Sequence, residues 1–271
     1  MSLAPPLDLR ALLHAAIDAA RSAAALVESG YRKRPATEHK RARIDLVTRF
    51  DRESEALLRE TLTRSTNIPV VGEETGGRRA LGPHAATWYV DPLDGTTNFV
   101  HGHPFWCVSV GLVAGGDPVL GAVVAPSLQL EWTGVADGRA ERNGEPCHVS
   151  EVGHLDDALV ATGFPYDRQT SKDNIFDAFV AIKRKAQAVR RCGSAAIDLC
   201  LVGDGTYDGY WEAKLGPWDI AAGSAIVLAA GGHITGYAGQ AVDVTLGSIV
   251  ATNGRIHAEL VSELGVVSSR G

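Results

Sequence analysis

Apolar residues recur at helical spacing near the start of the chain. Leu9, Leu12, Leu13, Ala16, Ile17, Ala20, Ala24 and Val27 form one stripe, and Gly30 ends it. The pattern predicts an amphipathic helix laid on a core. A basic stretch from Arg32 to Arg43 follows and reads as a solvated loop. Thr48 with Asp51 three residues on resembles a capping box, and a second helix is expected from there to about Arg64. The period then shortens. Ile68 to Val71, Thr87 to Val90, Val108 to Val113, Val119 to Val124 and Leu128 to Thr133 read as strands. Gly115-Gly116-Asp117-Pro118 and Arg142-Asn143-Gly144-Glu145 read as hairpin turns.

Beyond about residue 155, strands at Ala158 to Thr162, Thr206 to Trp211 and Ser248 to Thr252 alternate with helical stretches. The helices are expected near 174–185, 194–202, 218–230 and 255–264. Such alternation predicts an α/β half with partly parallel strands. The expected division is 1–150 as an N-terminal α+β half and 151–271 as a C-terminal α/β half. No repeat, low-complexity tract or flexible linker separates them, so they are expected to share an interface in a single compact catalytic unit.

Composition narrows the function. The 271 residues are 45% hydrophobic and 21% charged, ordinary for a globular chain able to bury a sizeable core. A net charge of -6 argues against general nucleic-acid binding, yet leaves an anionic substrate open, because bound cations invert a local charge. The longest apolar stretch, Ile220 to Ile234, carries Gly223, Gly231 and Gly232 and falls short of the roughly 20 residues of a membrane span. Asp8, Arg10, Asp18 and Arg21 interrupt the first apolar segment, so no secretory signal is expected. Cys107, Cys147, Cys192 and Cys200 form no C-x-x-C pair and are expected as free thiols in a reducing cytoplasm. No G-x-G-x-x-G follows a strand, which argues against a nucleotide-binding oxidoreductase.

The chemistry concentrates in the acids. Asp91-Pro92-Leu93-Asp94-Gly95-Thr96-Thr97-Asn98-Phe99 follows the apolar run Trp88-Tyr89-Val90, so two carboxylates emerge where a buried strand ends. Gly72-Glu73-Glu74 follows Pro69-Val70-Val71, and Trp218-Asp219-Ile220-Ala221-Ala222-Gly223 starts an apolar helix with an acid. Each has a plain structural reading: Asp94-Gly95 as a turn, Glu73 and Glu74 as a solvated loop end, Asp219 as a helix N-terminal charge. Converging acids would repel one another unless cations lay between them, and hard divalent ions take oxygen ligands.

These three stretches, with Asp45-Leu46-Val47-Thr48 and Asp51 and with Gly193-Ser194-Ala195-Ala196, resemble the ordered signature motifs of the inositol monophosphatase family over nearly the whole chain. The resemblance implies a layered αβαβα sandwich with the site between the halves. It implies Mg²⁺, roughly two or three ions. Glu73, Asp91 and the Leu93 carbonyl would hold one ion, and Asp91, Asp94 and Asp219 a second. Glu73 would also face a third, weaker ion through water. The N-terminal half would thus carry most metal ligands, and the C-terminal half Asp219 and the substrate contacts. Thr96 and Asp51 would orient and deprotonate the attacking water, and the amides of Gly95 and Thr96 would receive phosphate. Gly193, Ser194 and Ala195 would contact a polyol, Glu212 would bind its hydroxyls, and Lys40 matches a lysine near the metal-facing acids. His101 and His103 would be loop residues.

The implied activity is hydrolysis of a small phosphorylated polyol or sugar, inositol 1-phosphate to inositol and phosphate. It comes with lithium sensitivity and a homodimer, and without a nucleic-acid or membrane partner. Fructose 1,6-bisphosphatase and histidinol-phosphate phosphatase activities are the alternatives on the same scaffold, followed by a catalytically idle metal- or phosphate-binding regulator. Ser194 stands where many relatives carry threonine, and Gly216-Pro217 precedes Trp218. Thr97-Asn98-Phe99-Val100-His101 favours the inositol-phosphate branch.

Overall fold

The first apolar stripe folds as α1 (Leu9–Glu28), started by Asp8, whose carboxylate accepts the Ala11 amide at 3.1 Å. Its buried face is largely alanine (Ala16, Ala19, Ala20, Ala23, Ala24), so the helix axis lies close to what it covers. The structure, a computed structural model, describes residues 7–40, 45–79, 85–136, 138–167 and 175–268. The end of the basic stretch, 41–43, and residue 174 of the expected helix lie outside the described residues. A short antiparallel ladder of β1 (Glu38–His39) and β2 (Leu46–Val47) leads into α2 (Arg49–Thr66). Thr48 and Asp51 cap α2 reciprocally, as their spacing predicts.

Seven strands follow as one sheet in sequence order: β3 (Val70–Gly72), β4 (Ala86–Asp94), β5 (Cys107–Ala114), β6 (Asp117–Ala125), β7 (Leu130–Val135), β8 (Arg139–Arg142) and β9 (Glu145–Pro146). Only the β3/β4 pair is parallel. The short α3 (Thr96–His101) lies between β4 and β5. The strand expected from Leu128 begins at Leu130, because Pro126–Leu128 forms a 3₁₀ turn first. One sheet face packs Trp88, Val90, Val110 and Leu120 against α1 and α2.

The second sheet has the order β11-β10-β12-β14-β13, built from β10 (Leu159–Thr162), β11 (Ala188–Arg190), β12 (Gly209–Glu212), β13 (His233–Thr235) and β14 (Ile249–Thr252). β10 runs parallel to β11 and β12, and the other pairs are antiparallel. Its helices are α4 (Phe176–Lys185), α5 (Ala195–Gly203), α6 (Pro217–Ala229) and α7 (His257–Ser268). α5 and α6 lie between the two sheets, while α4 and α7 cover the far face of the second. This is the expected layered αβαβα sandwich. The Ile220 to Ile234 stretch is accounted for by α6, a turn and β13, and no described helix is long and apolar enough to cross a membrane.

A row of three glycines sets how closely α6 approaches. Gly111, Gly121 and Gly134 are cross-strand partners on β5, β6 and β7. A Cβ at Gly111 would come within 2.5 Å of the Ala222 amide nitrogen, and one at Gly134 within 2.5 Å of Ile226 Cα. The helix therefore rests backbone to backbone on the sheet, which brings its first turn, with Asp219, to the strand ends.

Candidate active site

β4 delivers its two acids through an interruption in its own ladder. Asp91 pairs with Ser109 of β5, Asp94 pairs with Cys107, and the register shifts between them. Pro92, without an N–H, sits in that shift, and the local bulge re-aims both carboxylates. Asp91 Oδ1 accepts the Leu93 amide at 2.9 Å, and Ser54 of α2 donates to the Pro92 carbonyl at 2.9 Å. Asp94 Oδ2 accepts from Ser194 Oγ and from the Ala196 amide, both at 2.7 Å, so it binds the first turn of α5, whose own cap is Ser194. Asp219 Oδ2 accepts the Gly216 amide at 2.6 Å, the helix-start contact its position suggests.

Glu73 arrives just past β3. Lys40 Nζ lies 2.8 Å from Glu73 Oε1 and also pairs with Glu74. Two residues outside the motifs hold this turn. Buried Glu55 of α2 accepts the amides of Glu74 at 2.7 Å and Thr75 at 3.0 Å, and the Thr75 hydroxyl as well. Arg59 pairs with Glu55 at 3.0 Å and donates to the Val70 carbonyl at 2.8 Å. An acid on the same helical face as buried Leu58 and Leu62 was the available signal for Glu55.

The carboxylate of Asp51 is divided between two tasks. Its Oδ2 accepts the Thr48 amide at 2.8 Å and hydroxyl at 2.7 Å, which caps α2. Its Oδ1 accepts the Thr96 hydroxyl at 2.9 Å, while Thr96 Oγ also lies 3.1 Å from the Leu93 carbonyl. Gly95, at φ +92, turns the chain from β4 into α3, a conformation that favours glycine. Asn98 donates to the carbonyls of Phe105 at 2.7 Å and Cys192 at 2.8 Å, tying α3 to the Gly193-Ser194-Ala195 loop. His101 and His103 are exposed, and His103 accepts the Phe105 amide.

One cavity of about 110 Å³ collects Glu73, Asp91, Leu93, Asp94, Gly95, Thr96, Gly193, Ser194, Ala195, Glu212 and Asp219, with Asp51 buried behind Thr96. Glu212, at the end of β12, accepts the Tyr210 hydroxyl. Gly163 leaves room for the Glu212 carboxylate, which any Cβ there would strike. The motifs did not single out Phe164, Tyr166, Arg191 and Lys214, which also line the wall. The Gly163-Phe164-Pro165-Tyr166 run directly after β10 was the signal for the first two.

Burial dominates the electrostatics. It raises Asp91 and Asp219 well above the carboxylate range, with the charges of Glu73 and Asp94 adding to each. Burial lifts Asp94 to about 6 against the bonds from Ser194 and Ala196, and lifts Glu212 to about 7 against Tyr210 and Arg191. Glu73 is raised by burial despite Lys40, and Asp51 by burial despite three donors. The donors are carboxylate and carbonyl oxygens only, a set that fits Mg²⁺ in composition and in its excess of negative charge. Among the described residues, no group of three His, Cys, Asp or Glu side chains could hold an ion as it stands.

Comparison with known proteins gives the family. The chain is 40% identical over 259 residues to the inositol-1-monophosphatase of Synechocystis sp., covering 96% of this chain and 90% of that one. It is 34% identical over 261 residues to the Nus factor SuhB of Pseudomonas aeruginosa, covering 94% and 96%. The inositol monophosphatase structure from Anabaena (Nostoc) sp. superposes with a TM-score of 0.86 at 36% identity, over 96% of this chain and 97% of that one. The model of the inositol monophosphatase family matches residues 8–267. With the acid-lined cavity on the αβαβα frame and these matches along nearly its full length, the chain belongs to the inositol monophosphatase family, a family of phosphatases.

Proposed function

We propose that this chain hydrolyses a small phosphate monoester, inositol 1-phosphate foremost, with Mg²⁺ and an activated water. The observation that carries the reading is the Thr96–Asp51 hydrogen bond of 2.9 Å, set beside four converging carboxylates in a cavity that also holds Glu212. Glu73, Asp91, the Leu93 carbonyl, Asp94 and Asp219 would hold the ions, which supply Lewis-acid charge to phosphoryl oxygens and make water a better nucleophile.

The chain's own residues do the rest. The Thr96 hydroxyl donates to Asp51, so its free lone pair accepts an O–H of the water and aims the water oxygen. As that oxygen bonds to phosphorus, the proton passes through Thr96 Oγ to Asp51. The ester P–O bond breaks with its electron pair on the alcohol oxygen, which takes a proton from water in the open cavity. The Gly95 and Thr96 amides receive the phosphoryl oxygens. Glu212 and the Gly193-Ser194-Ala195 loop take the polyol hydroxyls. In this reading the halves 1–150 and 151–271 form one catalytic unit, because Asp94 of the first half is bonded to α5 of the second. The protein would act as a homodimer, as the family resemblance implies, and in a reducing cytoplasm, for which the free thiols Cys107, Cys147, Cys192 and Cys200 are the support.

A phosphate-release panel tests this: inositol 1-phosphate, fructose 1,6-bisphosphate, histidinol phosphate and adenosine 3',5'-bisphosphate, each with and without Mg²⁺. Inositol 1-phosphate should turn over fastest, chelation of Mg²⁺ should abolish release, and Li⁺ should inhibit. Adenosine bisphosphate as the best substrate by a wide margin would overturn the substrate assignment. A catalytically idle regulator is the second reading, prompted by the Nus factor name of the Pseudomonas relative. The intact Asp51–Thr96 pair and acid set favour hydrolysis, and absence of release from all four esters would favour the regulator.

A further inference from the structure

Of the large apolar side chains that stay exposed among the described residues, Tyr166 is the one that lines the acidic cavity. It keeps 56% of its surface exposed, so packing gives little reason for an aromatic ring there. The loop that carries it is held on both sides. Gly163 packs against the Glu212 carboxylate, and the Phe164 ring packs at a tilt against Phe176 and Phe179, with ring centroids 5.1 and 5.4 Å away. Asp167 pairs with Lys214 of the segment after β12 at 2.8 Å. Tyr166 is thus the projecting residue of an anchored loop. It shares the cavity wall with Glu73, Asp94 and Asp219.

Chemistry selects what such a ring can hold. The face of an aromatic ring is the negative end of its quadrupole, so it is no place for phosphate. A cyclic polyol offers the complement: an apolar C–H face for the ring and a rim of hydroxyls for Glu212. An open-chain alcohol presents no such face. We infer that Tyr166 is a specificity-determining residue of this site, its ring forming the wall against which a cyclic polyol phosphate lies. This rests on the polyol-phosphate reading above.

The test compares the wild type with Tyr166→Phe and Tyr166→Ala on cyclic inositol 1-phosphate, open-chain glycerol 2-phosphate and cationic histidinol phosphate, with Mg²⁺. Tyr166→Ala should raise KM for inositol 1-phosphate about five- to tenfold, the scale of one aromatic contact, with kcat little changed. KM for glycerol 2-phosphate should move less than about twofold, and Tyr166→Phe should stay within about threefold of wild type on every ester. The melting temperature should be unchanged, since an exposed ring contributes little to the core. Equal losses on cyclic and open-chain esters, no loss on either, or a loss confined to histidinol phosphate would overturn the role of Tyr166 while leaving the phosphatase reading intact. A wild type that releases phosphate from none of the three would overturn both.

Discussion

Replacing Asp51 with asparagine separates two tasks that one carboxylate now performs. Oδ2 serves two donors from Thr48, and Oδ1 serves the Thr96 hydroxyl. Asparagine has a single acceptor oxygen, and the two Thr48 donors outcompete one hydroxyl for it. The new NH₂ then faces Thr96, whose hydroxyl keeps the Leu93 carbonyl, 3.1 Å away, as acceptor. The cap of α2 therefore largely survives. The stability loss should be about 1 kcal/mol, the scale of a weakened cap, or about 2–4 °C in Tm for a chain of this size. Activity should fall far more. With no carboxylate behind Thr96 the water's proton has no acceptor, and loss of a general base typically costs about 10²–10⁴ in kcat. Thr48→Ala is the control: it removes the capping hydroxyl, costs about the same stability and leaves kcat within about twofold. Thr96→Val should match Asp51→Asn in kcat, and the double variant should be little worse than the poorer single, because the two act as one unit. Steady-state kcat with saturating ester and Mg²⁺, measured beside melting temperature, decides it. A near-normal kcat in Asp51→Asn, or losses that multiply in the double variant, would refute the shared-water mechanism.

Three further outcomes are expected. Gly111→Ala puts a Cβ 2.5 Å from the Ala222 amide nitrogen, so α6 must shift; denaturant titration should show about 1–3 kcal/mol lost, and unchanged stability would mean α6 is free to move away. His257 bridges Thr235 and Thr252, at 2.9 Å each, and burial, then nearby His233, push it down to about 4. Above about pH 6.5 the imidazole is neutral folded and unfolded. Below that the unfolded chain binds a proton the folded one refuses, so stability falls toward pH 4 by at most about 3 kcal/mol. The urea midpoint of His257→Gln should lose that part of the slope, and an unchanged slope would refute the assignment. Finally, Cys147 and Cys192 should react with a thiol reagent before buried Cys107 and Cys200, which should need unfolding; early labelling of Cys107 would contradict the packing.

Much of the frame was legible in local pattern. The stripe of α1, the capping box of α2, the strands β4 to β7 and the alternation of the second half each carry their own period, because each buries one face along its whole length. The acid motifs were legible as well, since Glu73, Asp91, Asp94 and Asp219 each sit where an apolar run begins or ends. What escaped is what depends on partners distant in the chain. β11 and β13 are only three residues each, and their place comes from neighbouring strands rather than from any alternation of their own. Asp94 reads as half of a turn until its bonds to Ser194 and Ala196, some hundred residues on, join the two halves. By spacing Asp51 reads only as a cap; its pairing with Thr96 was expected from the family resemblance alone, and the fold supplies the bond at its other oxygen. Glu55 reads as one more helix acid until the Glu73 turn folds over it. Tyr166 and Lys214 reached the cavity wall through loops with no period to read. Periodicity reports the environment along one element, whereas a hydrogen bond or a cavity wall exists only once separate elements meet. The sequence alone therefore determined the layers and the acids, and tertiary packing decided which oxygen each acid offers to which partner.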